Sequence, residues 1–376
     1  MLTAVKTRRA YLVLAVLALL VQMPAVRAVP PAPSGAEPAS TLPKRLTAEE
    51  FWKLSADLSE PDGFFRSDNL VSNEMNMQRV IPDLSRTVRS GRAYLGVGPE
   101  QNFTYIAATR PAMVFILDIR RGNLHLHLMY KAIFELSADR AEFVSRLFSL
   151  KRPAGLTARS SVNEIFTAFN DPQLRSEELY RQNLVAIRDL FQKKSRIALS
   201  ADDMKGIEQV YETFFTRSLG IHYEVTPGSA GSFPTYAEMM IATDAASVPR
   251  SYLASEEQFA LIKDLQTRNL LVPVVGNFAG PKALRAIGSY LKRHQALVGA
   301  YYVSNVEQYL AREGALERFC DNVAALPLDD SSTFIRSERG GFGPRMRGSG
   351  GFGTFGGAFT SQLYSIRSDI RTCGVR

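Results

Sequence analysis

Apolar residues in this chain follow two patterns, one with helical spacing and one continuous over strand length. From residue 46, Thr47-x-x-Glu50 has the form of a capping box ahead of Phe51, Trp52, Leu54 and Leu58, which fall near one helical face. Pro61-Asp62-Gly63 supplies the turn chemistry that ends this helix. Met77, Val80, Ile81, Leu84 and Val88 predict a second helix over residues 73–89, with Pro82 as a kink. The stretches 93–98, 113–117, 270–275 and 297–303 are instead short apolar runs bounded by turn residues, the pattern of strands buried on both faces. Helices are expected between them, over 100–108 and over 281–294 with Pro281 at the first position. This repeated order predicts an α/β domain, a mostly parallel sheet covered by helices on both faces. Residues of about 124–219 carry helical spacing, as in Ile165, Phe166 and Phe169 and then Leu184, Ile187, Leu190 and Phe191. They predict a helical insertion, either a cap over the sheet or a packing block.

The two ends of the chain change this picture. Its 376 residues are 45% hydrophobic and 22% charged, which sets aside whole-chain disorder, a collagen-like repeat and a polytopic membrane protein. The net charge of +8 suggests a polyanion partner until it is divided by segment. Residues 29–335 hold 34 basic against 35 acidic side chains, so the excess lies at the ends. At the first end, Lys6, Arg8 and Arg9 precede a 12-residue apolar run over 10–21, then Pro24 and Val26-Arg27-Ala28. This is the order of a secretory signal peptide over 1–28, cleaved after Ala28, and it predicts export to the periplasm or the extracellular space. An uncleaved membrane anchor is the alternative; after cleavage no transmembrane span is expected. Residues 29–45, with Pro30, Pro31, Pro33, Pro38 and Pro43, read as a Pro/Ala-rich linker too poor in apolar residues to pack. In an oxidising compartment Cys320 and Cys373 either bridge, contributing roughly 4 kcal/mol on the chain-entropy model, or remain two unrelated thiols.

Candidate chemistry concentrates after the first strand. Gly96 and Gly98 end it, and Asp118 stands 20 residues after Gly98 at the end of the second. In nucleoside sites of this build, glycines admit the ligand to the backbone and the acid accepts hydrogen bonds from ribose hydroxyls. Pro99-Glu100-Gln101 replaces the third glycine, so no GxGxxG is completed. Tyr94-Leu95-Gly96-Val97-Gly98-Pro99-Glu100, followed by Phe115-Ile116-Leu117-Asp118-Ile119-Arg120, resembles the first two nucleoside-binding motifs of S-adenosylmethionine-dependent methyltransferases. Together with Phe65 to Glu74, Val275 to Lys282 and Val303 to Leu310, these residues more closely resemble a bacterial family of unknown function with a methyltransferase-like, Rossmann-like fold. The resemblance covers residues 46–336 and implies a nucleoside ligand, with S-adenosylmethionine as the cofactor to test. It implies that Gly96, Gly98 and Glu100 form the cofactor loop and that Asp118 holds ribose. Asn73, Glu74, Asn277, Ser304, Asn305 and Glu307 are expected to line the pocket. The shorter glycine loop and the expected export depart from that pattern. Two functions follow, methyl transfer to an unknown acceptor or a noncatalytic envelope binding or scaffolding role that keeps the fold. Methyl transfer depends on positioning, so no catalytic residue is named from the sequence.

Other groups carry less. His125 and His127 are two apart, a spacing that completes no metal site on a helix or a strand. His222 and His294 lack the neighbours of a triad, and Asp329-Asp330-Ser331-Ser332-Thr333 reads as a solvated loop or a helix cap in preference to a cation site; no metal is expected. In the final segment, 337–376, nine of the 18 residues over 340–357 are glycine, interleaved with Phe342, Phe352, Phe355, Arg345 and Arg347. A lid over the pocket or a disordered loop is the favoured reading, a tether to an envelope polyanion the alternative, and nucleic acid the less favoured partner.

Overall fold

In a computed structural model of the protein, residues 40–225, 233–339, 359–371 and 373 are described. The expected signal peptide, residues 29–39 of the linker and the glycine-rich stretch 340–358 lie outside the described residues. Helix α1 (Ala48–Leu58) starts with the expected box: Thr47 Oγ1 accepts from Glu50 N–H at 3.1 Å, and Glu50 Oε2 accepts from Thr47 N–H at 2.7 Å. The second helix is shorter than its apolar spacing suggests. A 3-10 turn over Met77–Val80 runs into α2 (Ile81–Thr87), and Pro82 lies in the first turn of α2, where its missing N–H costs nothing, instead of making a kink. Residues 73–76 are not helical; Glu74 N–H is instead bonded to Ser72 Oγ.

The sheet begins with β1 (Ala93–Gly96), α3 (Gln101–Thr109) and β2 (Met113–Asp118). Helices then occupy the chain as far as β3: α4 (Arg121–Leu136), α5 (Arg140–Phe148), α6 (Val162–Phe169), α7 (Glu177–Asp189), α8 (Ala201–Arg217), α9 (Tyr236–Ile241) and α10 (Glu256–Thr267). The helical block thus runs past the expected 124–219 at both ends. After it come β3 (Leu271–Val275), α11 (Ala283–Arg293), β4 (Val298–Ser304), α12 (Val306–Arg312), α13 (Leu316–Ala324), β5 (Thr333–Arg339), β6 (Phe359–Ser365) and α14 (Ile366–Ile370).

The strand order is β3-β2-β1-β4-β5-β6, all neighbours being parallel except the β5–β6 pair. The fold is α/β with a mostly parallel sheet. Its inner strands are continuous apolar runs because both faces are covered: Leu95 pairs with Phe115 on one side and Tyr301 on the other, and all three are buried. Pro273 is tolerated because β3 is an edge strand. On one face, Phe103 of α3 meets the rings of His127, Tyr130 and Phe134 of α4 edge-on, and that of Tyr252.

Both ends of the described chain are tied down. Thr41 N–H donates to the His294 carbonyl at 2.8 Å, Arg45 Nη1 to that of Thr267, and Arg268 Nη1 to that of Lys44, each at 2.9 Å. Residues 40–45 of the expected linker therefore pack on the domain, held by these polar contacts and by Leu42, which packs against the core. At the other end Cys320 of α13 and Cys373, beyond α14, form a disulfide with a Cα–Cα distance of 5.9 Å. Among the described residues no helix is long and apolar enough to cross a membrane.

Candidate functional site

Chain order reverses at β1, with β2 and β3 on one side and β4 and β5 on the other. At the carboxyl edge of this reversal, where open α/β sheets bind ligands, lies a cleft of about 90 Å³. Asn73, Glu74, Gly98, Asp118, Ser304 and Asn305, six of the residues expected from the sequence, line it. Phe65, Arg120, Tyr302 and Tyr309 line it as well and were not expected. Three of the lining residues have left-handed backbones: Gly98, at φ +73°, which is ordinary for glycine, Asn69, at φ +49°, a residue type that tolerates it, and Ser304, at φ +48°, which is strained for a residue with a Cβ.

Glu74 is the polar centre of the cleft. Its Oε1 accepts from Tyr302 Oη and Ser304 Oγ, both at 2.7 Å, and its Oε2 from Gln101 Nε2 at 2.7 Å and Ser361 Oγ at 3.3 Å. Gln101 Nε2 also donates to Tyr105 Oη, which lies 2.9 Å from Ser361 Oγ. Burial, reinforced by the charge of Glu74, pushes the Tyr302 and Tyr105 phenols upward, so both stay protonated. Ser361 comes from the last strand; the only hint of it in the sequence is the apolar return at Leu363, Tyr364 and Ile366.

Asp118 is already engaged. Arg120 Nε and Nη2 donate to its two oxygens at 3.1 and 3.0 Å, and Arg120 N–H donates to Oδ1 at 3.0 Å. Arg120 Nη1 reaches the carbonyls of Ser67, at 3.1 Å, and Asp68. Arg120 belongs to the second strand motif quoted above, but nothing in that motif announces the pairing.

Four expected residues lie elsewhere. Gly96 does not face the cleft; a Cβ there would collide with Asn102 Oδ1, so the glycine makes room for Asn102. Asn102 Nδ2 in turn donates to the carbonyls of Pro99 at 2.7 Å and Val97 at 2.9 Å, bracing the turn from beneath. Asn102 also opens the glycosylation sequon Asn102-Phe103-Thr104, and its complete burial closes that sequon to a glycan. Glu100 is buried behind the cleft, where Oε1 accepts from Ser72 N–H at 3.2 Å and Oε2 has no partner among the described residues. Burial pushes its carboxyl up to about 8, so it is mostly neutral at pH 7. Asn277 N–H donates to Glu60 Oε2 at 3.0 Å, and the N–H groups of Lys282 and Ala283 donate to Oε1 at 2.8 Å, so the loop after β3 is filled by the chain's own carboxylate. Glu307 turns away to form a two-point ion pair with Arg336, which also meets Asp369.

Both histidines of α4 have protein partners. His127 Nε2 lies 2.8 Å from the Gly98 carbonyl, and burial lowers its ring to about 4, keeping it neutral. His125 Nε2 lies 2.9 Å from Asp203 Oδ1. Among the described residues no group of three His, Cys, Asp or Glu is placed to hold a metal ion. A second cavity of about 350 Å³ lies between residues 67–70 and the end of α8; Asn69 lines both it and the cleft.

A family model described as a domain of unknown function (DUF7790) matches residues 69–352, and the chain belongs to that family. The match takes in the cleft from Asn69 to Tyr309. No curated protein matches the chain.

Proposed function

We propose that this member of a family of unknown function is an exported, Rossmann-like protein whose cleft binds a nucleoside-containing ligand, with S-adenosylmethionine as the first candidate. Gly98, Asp118 and Ser304 meeting at one cleft from the ends of three adjacent strands is the observation that carries this reading. Gly98 admits the ligand to the backbone, Asp118 receives ribose hydroxyls, and Glu74, anchored by four donors, fixes the floor. The likeness of residues 94–100 and 115–120 to methyltransferase motifs supports methyl transfer to an unnamed acceptor. The amino-terminal pattern and the disulfide support export.

Calorimetry with S-adenosylmethionine and S-adenosylhomocysteine tests the reading. Asp118→Ala should weaken binding about 10- to 100-fold, since a hydrogen bond to a charged group contributes roughly 1.5–3 kcal/mol. Unchanged affinity removes Asp118 from the site. A second reading, a noncatalytic envelope protein that keeps the fold, is favoured by the small cleft and by the Asp118–Arg120 pair. Absence of binding at millimolar ligand selects it. Amino-terminal sequencing of the fractionated protein should find Val29 first; an intact Met1 product in the cytosol would remove export.

A further inference from the structure

The Arg120 residue, 8% exposed, divides its guanidinium between two structures. Nε and Nη2 hold the Asp118 carboxylate, while Nη1 holds the carbonyls of Ser67 and Asp68. Phe65 closes over the same group, its ring centroid 5.9 Å from Arg120 Cζ. Asp118 belongs to the sheet-edge cleft, Ser67 and Asp68 belong to the larger cavity, and Asn69 faces both. Residues 67–69 are therefore a partition one chain thick, and Arg120 pins it to the end of β2.

Two quantities show what the pin obstructs. The cleft, at about 90 Å³, is well below the roughly 300–1,000 Å³ of ligand pockets, whereas the cavity beyond the partition is about 350 Å³. The guanidinium also meets both oxygens of Asp118, in the fork-to-fork arrangement that strengthens such pairs. A ribose diol needs those same two oxygens.

We propose that Arg120 is an internal competitor for Asp118. A ligand with two adjacent hydroxyls binds by displacing the guanidinium, which frees residues 67–69 and joins the cleft and the larger cavity into one pocket. Arg120 leaves with the partition, to which Nη1 stays bonded. This rests on the nucleoside reading above and adds its gate and its selectivity, because a vicinal diol replaces both points of the pair and a nucleoside without it replaces neither.

Adenosine is a suitable probe: it carries the diol and no charge, so removing Arg120 exerts no direct Coulomb effect on it. 2′,3′-Dideoxyadenosine is the control. In the full chain, Arg120→Met should bind adenosine at least 10-fold more tightly than the unaltered protein, and the dideoxy compound, which shares the added room but not the freed carboxylate, should gain clearly less. Without ligand, amide hydrogen exchange over residues 67–72 should be at least 10-fold faster in Arg120→Met. In the unaltered protein the same amides should speed up when adenosine is added. Equal adenosine affinity in the two proteins, an equal gain for the dideoxy compound, or unchanged exchange over 67–72 each overturns the proposal. Should Arg120→Met not fold, exchange in the unaltered protein at saturating adenosine decides alone, and no change there overturns it. If neither protein binds any nucleoside at millimolar concentration, the nucleoside reading falls and the diol exchange with it. The ligand-free comparison then still decides whether Arg120 pins the partition.

Discussion

The loops leaving β1 and β3 look alike in sequence and end differently. Each has two glycines and a proline at the carboxyl edge of the sheet, Gly96-Val97-Gly98-Pro99 in one and Gly276-Asn277-Phe278-Ala279-Gly280-Pro281 in the other, and each leads into a helix. After β3 the amides that a helix start offers to an anion are taken by Glu60, and Gly280 leaves the room: a Cβ there would sit 2.5 Å from Glu60 Oε2. After β1, Asn102 and His127 satisfy the carbonyls from beneath, and the upper side of Gly98 faces a cleft. The residue that decides between these fates is remote, since Glu60 precedes Asn277 by 217 positions. Glycine spacing alone cannot separate a ligand loop from one the chain has filled itself.

Emptying the β3 loop is the strongest way to break the contrast. Glu60→Ala removes the acceptor of three backbone N–H groups and should cost about 3 kcal/mol in urea unfolding. Sulfate should restore part of that loss by occupying the vacated amides, and a variant as stable as the parent would show that the loop does not depend on its carboxylate. The next effect lies behind the β1 loop. Because the folded state holds a proton on Glu100 that the unfolded chain releases above about 4.5, stability should fall as pH rises toward 8. Glu100→Gln should abolish about 1–2 kcal/mol of that decline between pH 6.5 and 8, measured by urea unfolding at both values. His127, lowered to about 4, acts in the opposite sense and only as pH falls below about 6.5, outside this window. The smallest effect is at Gly98, where alanine should cost about 1 kcal/mol for its left-handed backbone and bring a Cβ 3.3 Å from Asn69 Nδ2. Thermal unfolding checks the first part; unaltered nucleoside affinity in Gly98→Ala would argue that the loop does not touch the ligand.

The sequence was legible where burial is two-sided and where sheet geometry sets position. Strands β1 to β4 were readable because their faces are both covered, so no polar residue interrupts the apolar runs before Asp118 ends β2 and Ser304 ends β4. Strand β5 was not, because Arg336, Ser337 and Glu338 interrupt its pattern, and Arg336 is held by ion pairs with Glu307 and Asp369 that no local spacing announces. Within the site, Gly98, Asp118 and Ser304 followed from strand ends. Glu307 was misplaced by one residue of helix rotation: Val306 lines the cleft, and the next position, about 100° further round, points to Arg336. Asn277 and Gly96 were misread because their true partners, Glu60 and Asn102, could be identified only once the chain was folded.

The antiparallel return of β6 sets an order of events in time. Glu74 and Ser361 meet although 287 positions separate them. A ribosome adding roughly 5–20 residues per second delivers the second roughly 15–60 s after the first. Through that interval the acid at the floor of the cleft lacks its donor from the last strand, and β5 lacks its outer neighbour. A product clipped or stopped before Phe359 therefore retains every strand of the parallel sheet and still lacks the residue that closes the Glu74 cage.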